Sequence, residues 1–179
     1  RLPWPLESPG PTLPGFLGFP STTCAPADSG GQFFGGGNVA TSSLTQTVDL
    51  GAAAAQIDSG AVPYTLSGWL GGFTLDPSAA SVKVNFLDAD RLYLGSGGLG
   101  PVTVLDRWFR TGLLERDTSG AIPMGTRSAQ IVVTFKDCNP VPGNYNNAYA
   151  DNLSFTVGAD LPAPPPPAAS RPGRAASAR

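Results

Sequence analysis

The stretch Tyr145-Asn146-Asn147-Ala148-Tyr149-Ala150-Asp151-Asn152-Leu153-Ser154-Phe155-Thr156-Val157 puts a carboxylate where a strand pattern has little use for one. From Asp151 onward, Leu153, Phe155 and Val157 fall on one face of the alternation and Asn152, Ser154 and Thr156 on the other, as in a half-buried strand. Strict alternation places Asp151 on the apolar face. A carboxylate there is costly unless it is hydrogen-bonded, paired with an arginine or bound to a cation, so a polar fixture is expected at the head of this strand. Asn152 opens the sequon Asn152-Leu153-Ser154 and is expected on the wet face, open to N-glycosylation in a secretory host.

Sugar recognition is the second chemistry within reach. Trp69 is in phase with Thr65 and Ser67 rather than with Leu66 and Leu70, which turns it away from the main core. An exposed indole can stack on the apolar face of a sugar while neighbouring polar groups bond its hydroxyls. Trp108, Arg110, Tyr145 and Asn146 are candidates for the same work from loops or a strand edge. The commoner fate of such tryptophans is structural, with Trp69 covered by the N-terminal segment and Trp108 packed at a sheet margin.

Other chemistries find less support. The chain has no His, which removes Ser-His-Asp and Cys-His catalysis and the commonest zinc ligand. Gly95-Ser96-Gly97-Gly98-Leu99-Gly100 fits GxGxxG but leads into the strand-like Pro101-Val102-Thr103-Val104 instead of a helix, and reads as a flexible turn. Asp88-Ala89-Asp90 starts like a calcium loop, yet Leu92, Tyr93 and Leu99 stand where later ligands and a glycine belong, so a hairpin turn is expected. Glu7 and Glu115 are the only glutamates, and no aspartate pair has an acid-and-nucleophile context, so no enzyme is expected. Cys24 and Cys138 are too far apart for a CxxC motif. Both lie in polar, loop-like flanks, so a disulfide is expected, worth up to about 4–5 kcal/mol on the chain-entropy model; two unrelated buried thiols are the alternative.

The elements that must carry these residues are short strands. Leu44, Gln46, Val48 and Leu50 alternate with Thr45, Thr47 and Asp49; Tyr64, Leu66, Gly68 and Leu70 with Thr65, Ser67 and Trp69; Val82, Val84 and Phe86 with Ser81, Lys83 and Asn85. Ala129, Ile131, Val133 and Phe135 repeat the pattern, Val132 being the exception, while Arg107 to Glu115 is less regular. Gly35-Gly36-Gly37-Asn38 reads as a turn, as do Asp76-Pro77, Ser119-Gly120 and Pro142-Gly143. Ala52 to Ile57 suits one or two helical turns stopped by Gly60. The expected fold is an all-β antiparallel sandwich.

Composition agrees. Among 179 residues, Gly 23, Pro 19 and only 13% charged residues favour strands and turns. Residues 1–160 hold all 13 acids against 8 bases, a net of −5, and show no basic stripe, which argues against nucleic-acid binding. No apolar run approaches the roughly 18 residues of a membrane span, so no membrane insertion is expected. Without an initiator Met or a signal peptide, the chain reads as a mature product or a piece of a longer one.

The order of Gln32-Phe33-Phe34-Gly35-Gly36-Gly37, Leu44-Thr45-Gln46-Thr47-Val48-Asp49, Tyr64-Thr65-Leu66-Ser67-Gly68-Trp69-Leu70-Gly71-Gly72, Val84-Asn85-Phe86-Leu87-Asp88, Ile122-Pro123-Met124-Gly125-Thr126-Arg127-Ser128 and the 145–157 segment resembles bacterial-type extracellular jelly-roll modules of the galactose-binding-like, carbohydrate-binding kind. The resemblance covers about residues 31–158; it departs at Phe73 to Ala80, where such modules often carry a more acidic loop. It implies a jelly roll with a structural calcium ion near the ends of the first and last strands. Asp151, Asp28 and main-chain carbonyls of Ser29 to Gln32 would supply oxygens toward the six to eight that calcium takes.

The resulting expectation has three parts: residues 1–30, rich in Pro and Gly, draped irregularly on the domain; a jelly roll over 31–160; and a Pro/Ala/Arg-rich tail over 161–179. Pro162-Ala163-Pro164-Pro165-Pro166-Pro167 favours an extended spacer that docks on or leads to another module. The expected function is a noncatalytic carbohydrate-binding or adhesive module, extracellular or at the cell surface, partnered by a glycan or an extracellular protein. The alternative is a structural subunit of an extracellular assembly such as a filament or cell wall.

Overall fold

The computed structural model describes residues 32–60, 62–138 and 145–158. The expected segments 1–30 and 161–179 lie outside these. Among the described residues there are eight strands: β1 (Phe34–Gly37), β2 (Thr41–Asp49), β3 (Pro63–Gly72), β4 (Ala79–Leu87), β5 (Tyr93–Leu99), β6 (Gly112–Ala121), β7 (Ser128–Lys136) and β8 (Asn146–Val157). A 3-10 turn (Gly51–Ala53) and one short helix, α1 (Ala54–Asp58), join β2 to β3. The alanines favour that helix, Ile57 anchors it in the core, and Gly60, at φ +89, turns the chain out of it.

The strands form two antiparallel sheets, ordered β1-β8-β3-β6 and β2-β7-β4-β5. Pairs β1·β8, β2·β7, β3·β6 and β4·β5 nest as one long hairpin whose tip is the β4–β5 turn. Rolling that ribbon sets β8 beside β3 and β7 beside β4, which is a jelly roll. Alternate residues of both sheets meet inside: Leu66 and Leu70 of β3 against Val82, Val84 and Phe86 of β4 and Ile131, Val133 and Phe135 of β7. Tyr64 packs its ring 5.1 Å from Phe86 and 6.0 Å from Phe155.

Three expectations are corrected. Gly35 to Gly37 belongs to β1 and not to a turn, which falls at Asn38 to Ala40. The GxGxxG run is most of strand β5, and Pro101 to Val104 is loop. Ser119-Gly120 lies inside β6. The last two share a cause: a Cβ at Gly97 would overlap the Tyr64 hydroxyl, and one at Gly120 would lie 2.9 Å from its ring. Glycine on β5 and β6 makes room for a tyrosine at the sandwich margin, so these glycines are packing residues rather than turn formers. The Asp88 turn is as expected, with its Oδ1 accepting the N–H groups of Asp90 (2.9 Å) and Leu92 (2.8 Å).

Because β1 ends opposite the start of β8 and β3 ends opposite the start of β6, the β1–β2, β3–β4 and β5–β6 connections gather at one end of the sandwich, together with Tyr145 ahead of β8. The helix, the β4–β5 turn and the β6–β7 connection occupy the other end.

Candidate functional site

The register of β3 and β8 decides where Asp151 points. Thr65 pairs with Thr156 and Ser67 with Ser154, but Trp69 pairs with Asp151, so two residues of β8, Asn152 and Leu153, oppose Gly68 alone. This is a β-bulge. Asn152 sits in it at φ +47 and is half-buried, a backbone region that asparagine tolerates better than most residues. Directly opposed residues share a face, so Asp151 stands with Trp69 and Glu115 on the outer face while Leu153 and Phe155 pack on the core. The expected placement of Asp151 on the apolar face is thereby overturned, because one inserted residue reverses the phase.

Asp151 is nevertheless only 9% exposed. Its Oδ1 accepts the Asn152 N–H at 2.8 Å, so one polar fixture at the head of this strand segment is a backbone cap. In the next row Tyr149 is buried with the Phe33 ring on it, centroids 5.0 Å apart. Among the described residues no three acidic or thiol groups converge as a metal site. Asp151 is the sole expected calcium carboxylate within them; Asp28 and residues 29–31 lie outside. These residues alone do not compose a calcium site.

Asn146 is corrected as a ligand. It is fully buried, donating from Nδ2 to the Phe135 carbonyl (3.1 Å) and accepting the Ala148 N–H at Oδ1 (3.3 Å). Gly36 leaves the space, since a Cβ there would overlap the Asn146 amide. The residue fastens the start of β8 to the end of β7. Trp69 faces outward as expected and is half-buried. The expected Cys24–Cys138 bridge is not formed at its described end: Cys138 is a free, exposed thiol just past β7, and Cys24 lies outside the described residues.

Trp108, Arg110 and Tyr145 are exposed at the loop end, Trp108 to 81%. The β5–β6 loop that holds the first two is anchored by buried Val102 and by Asp106, whose Oδ2 accepts the Thr103 N–H and hydroxyl, both at 2.7 Å. Those bonds, with Arg116 at 3.4 Å, hold the Asp106 carboxyl below its ordinary pKa. Arg107 is the keystone. It is 5% exposed and donates to carbonyls of Gly72 (3.0 Å), Thr74 (3.2 Å), Asp76 (3.2 Å) and Arg110. One guanidinium thus laces the β3–β4 loop to the β5–β6 loop. Burial lowers its pKa, and the charges of Asp76, Tyr149 and Asp106 oppose that shift.

Beyond this clamp Trp108 and Phe109 adopt φ of +50 and +61, consecutive left-handed residues with their rings in solvent. Such a conformation costs on the order of 1–3 kcal/mol per residue and persists only where surrounding contacts impose it. Here Trp108 N–H bonds Leu105 O and Phe109 N–H bonds Val104 O, both at 3.0 Å. Leu75 and Leu105, each 70% exposed, extend the apolar tip. The link to Tyr145 runs through Asn147, whose Nδ2 bonds Asp76 Oδ2 (2.8 Å) and Tyr145 O (3.1 Å). Sequence reading singled out Trp108 and Arg110 but missed Arg107, Phe109 and Leu105; the run Asp106-Arg107-Trp108-Phe109-Arg110, too irregular for a strand, was the available signal.

A separate groove of about 420 Å³ lies between edge strands β1 and β2, with Phe34, Val39, Leu44 and Phe135 in its lining. None of the sequence-selected residues borders it.

No protein-family model matches this chain, and no curated protein matches its sequence. Among solved structures it is similar to the tailspike protein 4 enzymatically active domain of bacteriophage CBA120 (14% identity, TM-score 0.45, 83% of this chain and 17% of that one). It is also similar to a family 16 carbohydrate binding module-2 (21%, 0.47, 72% and 79%). A third is the infectious bursal disease virus VP2 subviral particle (8%, 0.44, 70% and 28%). The chain therefore spans only a small part of the tailspike and VP2 chains, and likenesses at this level assign it neither a family nor a ligand.

Proposed function

We propose that this chain is a noncatalytic carbohydrate-binding module, extracellular or at the cell surface, whose ligand docks on the loop end of the sandwich. The observation that carries this reading is the presentation of Trp108 and Phe109 in solvent, on left-handed backbone, above a buried arginine that ties two loops together. Exposing two rings on a rigid support forgoes their burial, and saccharide stacking is a use that suits them. Trp69 is the weaker candidate because its cross-strand neighbour Asp151 is buried.

A glycan array tests this with wild type, Trp108→Ala and Trp69→Ala. Trp108→Ala should lose saccharide binding with an unchanged melting midpoint, and Trp69→Ala should retain it. Absence of any glycan bound by wild type, or undiminished binding by Trp108→Ala, would overturn the reading. Calcium at Asp151 is a separate proposal from the resemblance. Chelation should lower the wild-type midpoint and leave Asp151→Asn unaffected, whereas an unaltered wild-type midpoint would leave the carboxylate as a backbone cap.

A second reading, a structural subunit of an extracellular assembly, is favoured by β5. This edge strand, Tyr93–Leu99, carries neither charge nor proline, and Leu92, Tyr93 and Met124 are exposed around it. Unshielded edges pair with other chains. Light scattering across a concentration series would show association under this reading, and a monomer at all concentrations would count against it.

A further inference from the structure

We infer that the loop-end site takes saccharides bearing a carboxylate, such as uronic or sialic acids, with Arg110 as the group that selects them. This inference rests on the proposed saccharide site and names the class of sugar. Arg110 follows the two exposed rings directly in sequence, is itself exposed, and has no side-chain hydrogen bond or ion pair among the described residues. Its main-chain carbonyl is held by Arg107, so the start of its side chain is fixed while the guanidinium stays free.

The nearby carboxylates are already engaged elsewhere. Asp106 is taken by Thr103 and Arg116. Asp76 accepts the Ser78 N–H at 2.8 Å and the Asn147 amide at 2.8 Å. Arg107, the second cation of the tip, has its described hydrogen bonds to carbonyl oxygens alone. Asp76 and Asp106 offset the Arg107 charge, so the tip pairs its apolar rings with one further cation, Arg110, that no described carboxylate engages. A guanidinium binds a carboxylate through two parallel N–H donors, and a pyranose that stacks on Trp108 can extend its carboxylate toward the next residue but one.

The test is titration calorimetry with the whole chain against a panel of uronic-acid and sialic-acid oligosaccharides, each beside its own methyl ester. The ester keeps the ring and removes the charge. Expected are binding of at least one acid form, weakening of about tenfold or more on esterification and in Arg110→Gln, and loss of affinity with added salt for wild type but less for the variant. An unchanged melting midpoint would show that Arg110→Gln is folded. Equal binding of acid and ester, or of wild type and Arg110→Gln, would overturn the inference while leaving a neutral-sugar site standing. Binding of no saccharide, acidic or neutral, would remove the underlying reading as well.

Discussion

Trp69 of β3 and Asp151 of β8 face each other on the outer surface of the sandwich, although alternation counted back from Val157 assigns Asp151 to the core. The extra residue that separates the two outcomes is in the bulge at Asn152, held at φ +47. A β-branched residue there meets its own Cβ strain, so Asn152→Val should cost about 1–2 kcal/mol. Asn152→Gly should stay within about 0.5 kcal/mol of wild type. Urea denaturation of the pair checks this; equal stabilities would mean the positive φ is not a constraint.

Arg107 should be the costliest polar residue of the loop end to remove. Arg107→Ala strips a donor from four carbonyls and is expected to lose about 2–4 kcal/mol, with Arg107→Lys recovering only part, since an ammonium cannot span the same fork. Acrylamide quenching of tryptophan fluorescence should also change in Arg107→Ala as the Trp108 loop loosens. A variant with wild-type stability would show that the clamp is incidental.

Gly97→Ala should destabilise the domain by about 1–3 kcal/mol, because its methyl group takes the place of the Tyr64 hydroxyl at the margin of the two sheets. Ser96→Ala, one residue away and exposed on the same strand, should be within about 0.5 kcal/mol of wild type. Combining Gly97→Ala with Tyr64→Phe should restore part of the loss if the hydroxyl is the clash.

Burial pushes the Tyr149 phenol well above the ordinary tyrosine value of about 10. Tyr145 and Asp76 add to the rise and Arg107 opposes it. The unfolded chain releases this proton first, so the stability associated with Tyr149 is intact below about pH 10 and declines as the pH climbs from there toward the folded value. Denaturation midpoints should fall over that alkaline range in wild type and fall less in Tyr149→Phe. Identical profiles would exclude Tyr149 as the titrating group.

Strands β2, β3, β4 and β7 were legible because each alternates against a single core, broken in residue type only at Val132 of β7, and the outward phase of Trp69 followed from the same rule. Strands β1 and β5 were not, since their glycines imitate turns: at Gly36 and Gly97 the absent Cβ serves a side chain on another strand, Asn146 and Tyr64. Asp151 was misplaced because a bulge leaves no periodic trace in one sequence. At the loop end, Trp108 and Arg110 could be chosen by residue type. The clamp could not, because Gly72, Thr74 and Asp76 meet Arg107 through main-chain oxygens from more than thirty positions away.

The nested ribbon also bears on the order in which the molecule can come into being. β8 lies between β1 and β3, and β7 lies between β2 and β4, so neither sheet is contiguous until the last third of the chain has been made. Among the described strands only β4 and β5 pair as neighbours in sequence; each outer layer of the ribbon closes a longer loop than the one inside it. Loop closure has to precede the contacts that reward it, which makes such a topology slow to fold. On the ribosome, β1, β2, β3 and β4 would each lack a partner strand until β7 and β8 arrive, with the core faces of β3 and β4, Leu66, Leu70, Val84 and Phe86 among them, still incompletely covered in that interval.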